Sequence, residues 1–224
     1  MLMLQQKVNF EPIFVDHGGD WPETYEYLEY FQRWLNQNGH KPITILKPDM
    51  GTIEGRRFEK LYDYYHFKKL TPSKKYRSCA KMAKIAPIRK HIKNNKPCFM
   101  MIGFAFDESH RAKMAYEKGI ENRWPLIEME ITREGCKDII AENGLLMPTR
   151  SGCFFCPFMK NVHVRELRIK HQSLFCKVEQ LEEKAVARRG RVAYVYDIPI
   201  RSYINEKQIP LLKQDEYPPC ECRL

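Results

Sequence analysis

The sequence contains no apolar run approaching the ~20 residues that a helix needs to cross a bilayer. A secretory leader is not expected either, because Met1-Leu2-Met3-Leu4-Gln5-Gln6-Lys7 turns polar too soon for an apolar signal core. No internal repeat and no low-complexity segment is present, so the chain reads as ordinary globular sequence. A cytoplasmic location is therefore expected, with no membrane partner. In that reducing compartment the 8 cysteines do not form a disulfide framework, and clustered cysteines point to metal binding or catalysis.

The chain has 224 residues, a length for one large domain or a domain with a small appendage. Hydrophobic residues make up 43% and aromatic residues 12%, enough to bury a core. There are 38 Lys and Arg against 28 Asp and Glu, a net charge of +10. The corresponding pI is about 9.2. Such a surface attracts polyanions, either phosphorylated nucleotides or nucleic-acid backbones. The same excess also suits a solvated basic face with no dedicated partner.

Along the chain, Pro12-Ile13-Phe14-Val15-Asp16 reads as a buried strand that ends in the turn His17-Gly18-Gly19-Asp20. Pro22-Glu23-Thr24 opens a helix, with proline and acid in its first turn. Tyr27, Leu28, Phe31, Trp34 and Leu35 continue it at helical spacing until Gly39. Residues 42–46 read as a second strand, residues 81–93 as a helix despite Pro87, and residues 99–103 as a third strand. Asp107 to Lys118 reads as loop and helix, and Leu126 to Met129 as a fourth strand. Thr132 caps a helix that runs through Ile140 and stops at Gly144. Residues 166–188 read as helical and the tail from Arg201 as irregular. Strands alternating with helices predict an open, mostly parallel sheet. Ligands of such sheets bind beyond the carboxyl ends of the strands, where Asp16 and the loops after Leu46 and Ile102 lie.

The strongest local signal is Ser151-Gly152-Cys153-Phe154-Phe155-Cys156-Pro157-Phe158. A C-x-x-C loop aims two thiolates at one centre, and the glycine before it permits the tight turn. Zinc and [4Fe–4S] clusters usually take four ligands, so two more are needed. Cys79 and Cys136 are the best additional candidates. The spacing suits iron and zinc alike. The plainer alternative is a set of buried thiols or a redox pair. Cys98 and Cys176 sit in apolar patterns that favour core packing, while Cys220 and Cys222 lie in an irregular tail.

These segments resemble a known family. Phe14 to Gly18 with Trp21 to Tyr25 is similar to the D-T-G-x-E-x-P-E-T segment of phosphoadenosine-phosphosulfate (PAPS) reductase relatives. Arg77-Ser78-Cys79 with Lys81, Lys84 and Pro87-Ile88 resembles the family's basic cysteine segment. Asp107 to Ala112 is similar to its D-E-S-x-R-A. Trp124 to Ile127, Ile131 to Cys136, Ser151 to Phe158 and the helix around Leu174 and Leu181 continue the likeness, over roughly residues 1 to 185. The closest flavour is a phage- or island-borne branch with S-G-C-x-x-C-P-F.

The resemblance implies a Rossmann-like, adenine nucleotide alpha-hydrolase-like α/β fold. It lacks its first strand and the S-G-G-x-D-S phosphate loop, and it carries a cysteine-rich helical C-terminal part. The expected organisation is a nucleotide-binding domain over 1–130, a cysteine-loop segment over 131–190 and a tail over 191–224. Met1 to Gln6 looks like the end of the helix that the phosphate loop should open, so the chain is expected to start late. A second departure is Ala105, which stands where many relatives carry an arginine that meets phosphate or sulfate.

The resemblance further implies an adenine nucleotide such as ATP, with Mg²⁺, and a [4Fe–4S] cluster, zinc being the alternative. Cys79, Cys136, Cys153 and Cys156 would hold the metal. Asp16 would meet ribose or Mg²⁺, and Arg77, Lys81 and Arg111 would meet phosphates. Glu108 and His110 would orient that site or solvate a helix start. Cys222 is a faint match to the reductases' C-terminal nucleophile. The implied function is an adenylyl-nucleotide-dependent, sulfur-handling or sulfonucleotide-reducing enzyme. The alternatives are a nucleic-acid-binding module with a structural four-cysteine zinc in a modification or defence complex, and a family remnant that lost catalysis.

Overall fold

The computed structural model describes residues 8–113, 118–149, 151–190, 194–196 and 198–204. Two compact units make up the chain. One is Ile88–Pro148 with the segment ending at Glu11, and the other is Pro12–Pro87 with the segment starting at Thr149.

In the second unit, β1 (Ile13–Val15) pairs in parallel with β2 (Thr44–Leu46), Phe14 lying opposite Ile45. α1 (Pro22–Gln37) connects them. Proline at its start needs no amide partner there, and Phe31 stacks between Tyr27 and Trp34 along one side. The short hairpin of β3 (Thr52–Ile53) and β4 (Arg56–Arg57) turns through Glu54 and Gly55, both at positive φ. α2 (Leu61–Lys68) follows.

α3 (Ser78–Ala80), a π turn at Lys81–Ile85 and α4 (Ala86–Ile92) then form one continuous helical run. Pro87 lacks an amide proton, and its ring crowds the carbonyl four residues back. The widened turn, in which the Ala86 amide bonds the Lys81 carbonyl, accommodates it.

In the first unit, β5 (Cys98–Met101) and β6 (Ile120–Arg123) are parallel. A 3₁₀ turn spans Phe106–Arg111. The fourth strand expected at Leu126 to Met129 is instead α5 (Pro125–Glu128), and the strand lies just before it at Ile120–Arg123. Pro125 presets the first helical turn, and the bulky apolar residues behind it are compatible with helix. α6 (Arg133–Glu142) begins as expected at Thr132, whose hydroxyl oxygen accepts the Gly135 amide at 3.2 Å.

The second unit resumes with the cysteine loop, α7 (Asn161–Lys170), α8 (Gln172–Arg189) and a 3₁₀ turn at Ile200–Ile204. Its core gathers Trp21, Leu61, Tyr65, Phe154, Phe155, Val164, Leu167, Val178 and Leu181. Buried Glu182 accepts the Val195 and Ile200 amides, each at 2.9 Å, and so ties the chain after α8 to that core. The α/β class and the parallel pairing agree with the sequence. Among the described residues, however, the strands make separate two-stranded pairs, not one open sheet. No described helix is long and apolar enough to cross a membrane.

Candidate metal centre

Three cysteines of the second unit line one small cavity of about 20 Å³: Cys79, Cys153 and Cys156. The turn after β1, the helical run from Cys79 to Lys84 and the cysteine loop form most of its walls, with Leu61 and Pro72 beside them. β1 is followed by Asp16, whose carboxylate Oδ1 accepts the Gly18 amide and the Tyr25 hydroxyl, both at 2.9 Å. That turn throws the His17 side chain inward, where it lines the cavity at 1% exposure. The Leu61 amide fixes the same turn by donating to the His17 carbonyl at 2.9 Å.

The cysteine loop is clipped onto this turn. The Phe154 amide donates to the Gly19 carbonyl at 2.8 Å, the Trp21 amide donates to the Gly152 carbonyl at 3.3 Å, and Asp20 and Cys153 form an antiparallel bridge. Gly152 sits at φ 130°, as expected for the glycine before the loop. Phe154 and Phe155 anchor the loop in the core, with ring centroids 4.8 Å apart. Gly19 permits the close approach. A Cβ there would lie 3.0 Å from His17 Nδ1, 3.0 Å from Phe155 and 3.2 Å from Cys153 Sγ.

Cys79 enters from α3, which follows Arg77 at a left-handed φ of 46°. The Tyr65 hydroxyl and Ser78 Oγ, 3.1 Å apart, steady this helix start. Burial pushes the pKa of the Tyr65 hydroxyl up to about 12. Lys84, from the π turn, supplies a cation at the same cavity.

Burial dominates the electrostatics of the cavity. Burial drives the Cys153 thiol well above its ordinary pKa, against a backbone hydrogen bond from Phe155 that favours the thiolate. Burial likewise lowers His17 and keeps it neutral, the form that ligates metals. Neither ring nitrogen of His17 makes a hydrogen bond, and the Asp20 carboxylate lies 3.5 Å from Nε2. An orphaned buried polar group of this kind costs about 1–3 kcal/mol, so it calls for an explanation. Among the described residues, no three His, Cys, Asp or Glu side chains are gathered tightly enough to hold an ion without adjustment.

The remaining residues singled out from the sequence are not among those lining this cavity. Cys136 belongs to the other compact unit, on α6, with its thiol pKa raised by burial. Arg111 is also in that unit, paired with Glu108 and stacked over Phe104 at 4.4 Å, with 10% of its side chain exposed. Arg133 approaches the same Glu108 at 3.7 Å. Arg77 lies over Phe158 at 4.7 Å, and Lys81 is exposed on the π turn. Cys98 and Cys176 are partly buried. Cys220 and Cys222 lie outside the described residues. His17 is the residue that reasoning from sequence passed over. Its signal is its place directly after a strand-ending aspartate, on the edge where ligands gather.

This constellation stands in a recognisable chain. The model of the phosphoadenosine phosphosulfate reductase domain matches residues 1–129. The chain belongs to that family. The matched part contains Asp16, His17, Arg77, Cys79 and Lys81, whereas Cys136, Cys153 and Cys156 lie beyond it. The uncharacterized protein MJ0973 of Methanocaldococcus jannaschii is 25% identical over 226 residues, covering 93% of this chain. The chain spans about half, 49%, of that relative's length. A thiolate metal centre fits this phosphoadenosine phosphosulfate reductase family chain on its own donors: three thiols and a neutral imidazole on one cavity.

Proposed function

We propose that this chain is part of an adenylyl-nucleotide-dependent, sulfur-handling enzyme whose nucleotide edge carries a thiolate-ligated metal centre. One observation carries the reading: Cys79, Cys153 and Cys156 line a cavity against the turn that closes β1. In parallel α/β folds that carboxyl edge is where nucleotides bind. The family model supports an adenylyl or sulfonucleotide substrate.

The chain's own residues divide the work. Arg77 and Lys81, on the helical run beside the centre, meet phosphate oxygens by charge and hydrogen bonding. Asp16 holds the turn through Gly18 and Tyr25, which leaves its Oδ2 as the oxygen for a ribose hydroxyl or Mg²⁺. Cys79, Cys153 and Cys156 hold the metal, and Lys84 offsets their negative charge. When bound, an ion there would hold the segments that line the cavity together beside the nucleotide edge. A [4Fe–4S] cluster usually takes four thiolates, whereas three line this cavity beside one imidazole, a donor set that a single zinc ion accepts. A mononuclear zinc-class ion is therefore the better reading.

Anaerobic purification with metal analysis, followed by titration with ATP, adenosine phosphosulfate and PAPS in Mg²⁺, tests both parts. One thiophilic ion per chain and saturable binding of an adenylyl nucleotide are expected. Failure of all these nucleotides to bind would refute the enzyme reading. Salt-sensitive binding of RNA or DNA in their place would favour a nucleic-acid module, in keeping with the net charge of +10.

A further inference from the structure

We propose that His17 is the fourth ligand of this centre, completing a site of three cysteines and one histidine with Cys79, Cys153 and Cys156, and that Cys136 is not a ligand. The inference deepens the reading of a thiolate centre and rests on it.

Four observations converge on His17. It lines the same cavity as the three cysteines and is 1% exposed. Both of its ring nitrogens lack a hydrogen bond, so the burial calls for a partner that the protein does not supply, such as an ion. Nδ1 and Cys153 Sγ crowd one point, because a Cβ on Gly19 would touch both, at 3.0 and 3.2 Å. Nε2 faces the Asp20 carboxylate at 3.5 Å. The last two assign the atoms. Nδ1 faces the thiol and binds the ion, while Nε2–H donates toward Asp20, in the carboxylate–histidine–metal arrangement that fixes the ring's tautomer.

Charge points the same way. Three thiolates, a neutral imidazole and a divalent ion leave one net negative charge, and Lys84 stands on the cavity wall to offset it. Among the described residues these donors are not gathered tightly enough to hold an ion, so binding has to draw the cysteine and histidine side chains in to the ~2.0–2.3 Å of zinc bonds. All four donors line the cavity, and Cys136 is not among its lining residues.

Anaerobic reconstitution of the full chain with Co²⁺ and Zn²⁺ tests the assignment. Expected are one ion per chain, thiolate-to-cobalt charge-transfer absorption and a tetrahedral ligand-field band typical of three sulfur donors and one nitrogen. His17→Ala should weaken Zn²⁺ binding by at least tenfold and alter that band. His17→Cys should keep one ion and move the band toward the position of an all-thiolate site. Asp20→Asn should weaken binding roughly 10- to 100-fold without changing the ligand set. Cys136→Ser should bind as the unmodified chain does. An unchanged affinity and spectrum in His17→Ala, or loss of the ion in Cys136→Ser, would overturn the assignment. If Cys153→Ser loses the ion while His17→Ala keeps it, the thiolate centre stands and only His17 is wrong. Should Cys153→Ser also bind normally, the centre itself fails. Far-UV circular dichroism of each variant separates ligand loss from misfolding, and the band shift in His17→Cys decides the matter even where His17→Ala unfolds.

Discussion

Single atoms decide much of this site. Gly19 sits where His17, Phe155 and Cys153 meet, and a methyl there would press on them at 3.0–3.2 Å. In Gly19→Ala these neighbours must give by a few tenths of an ångström. It should cost about 1–3 kcal/mol of stability, read as a lower denaturation midpoint with an unchanged slope. Glu182 is a second such residue. Burial raises its pKa, so the folded chain holds that proton more tightly than the unfolded chain does. Its contribution is therefore largest at acidic pH and declines as pH rises from the ordinary glutamate value through the raised one. Glu182→Gln should flatten that part of the stability-versus-pH curve. At neutral pH it should also destabilise by about 1–3 kcal/mol, because one amide oxygen cannot serve both the Val195 and Ile200 amides.

At the scale of elements, local chemistry and long-range contact divide the credit unevenly. The cap at Thr132 was legible because a hydroxyl before a helix has a local partner, here the Gly135 amide. Thr132→Ala should cost about 0.5–2 kcal/mol and speed amide exchange in the first turn of α6. The strand β1 and the helix α1 were legible for the same reason, from an apolar run and a proline-led amphipathic repeat. The strand β6 was not. Ile120-Glu121-Asn122-Arg123 carries one apolar residue, and its strand character comes from backbone pairing with β5 in register Cys98 to Ile120. The π turn was only half legible: Pro87 announces a disturbance in the helix without saying how the carbonyls before it rearrange.

Across the whole molecule, metal binding should act on one unit. The clip between residues 19–21 and 152–154 joins segments more than a hundred residues apart, and an ion at the cavity would hold them together. Removing metal with a chelator should speed amide exchange in the cysteine loop and the β1 turn, while β5 and β6 stay unchanged. Differential alkylation read by mass spectrometry gives an independent check. Bound metal should shield Cys79, Cys153 and Cys156, and leave the labelling of Cys98, Cys136 and Cys176 as it was.

The amino-acid order by itself determined the α/β class, the C-x-x-C loop and the family. Each is written in short-range patterns: alternation, caps and ligand spacing. Cys79 and Cys136 were both joined to the loop from sequence, and of the two Cys79 lines the same cavity. Tertiary structure alone decided what else stands there. His17 reads as one more polar residue in a turn until burial strips its nitrogens of water and of partners. Lys84 reads as one basic residue among many until the π turn sets it on the cavity wall. Desolvation and convergence are properties of the packed chain, and no local spacing encodes them.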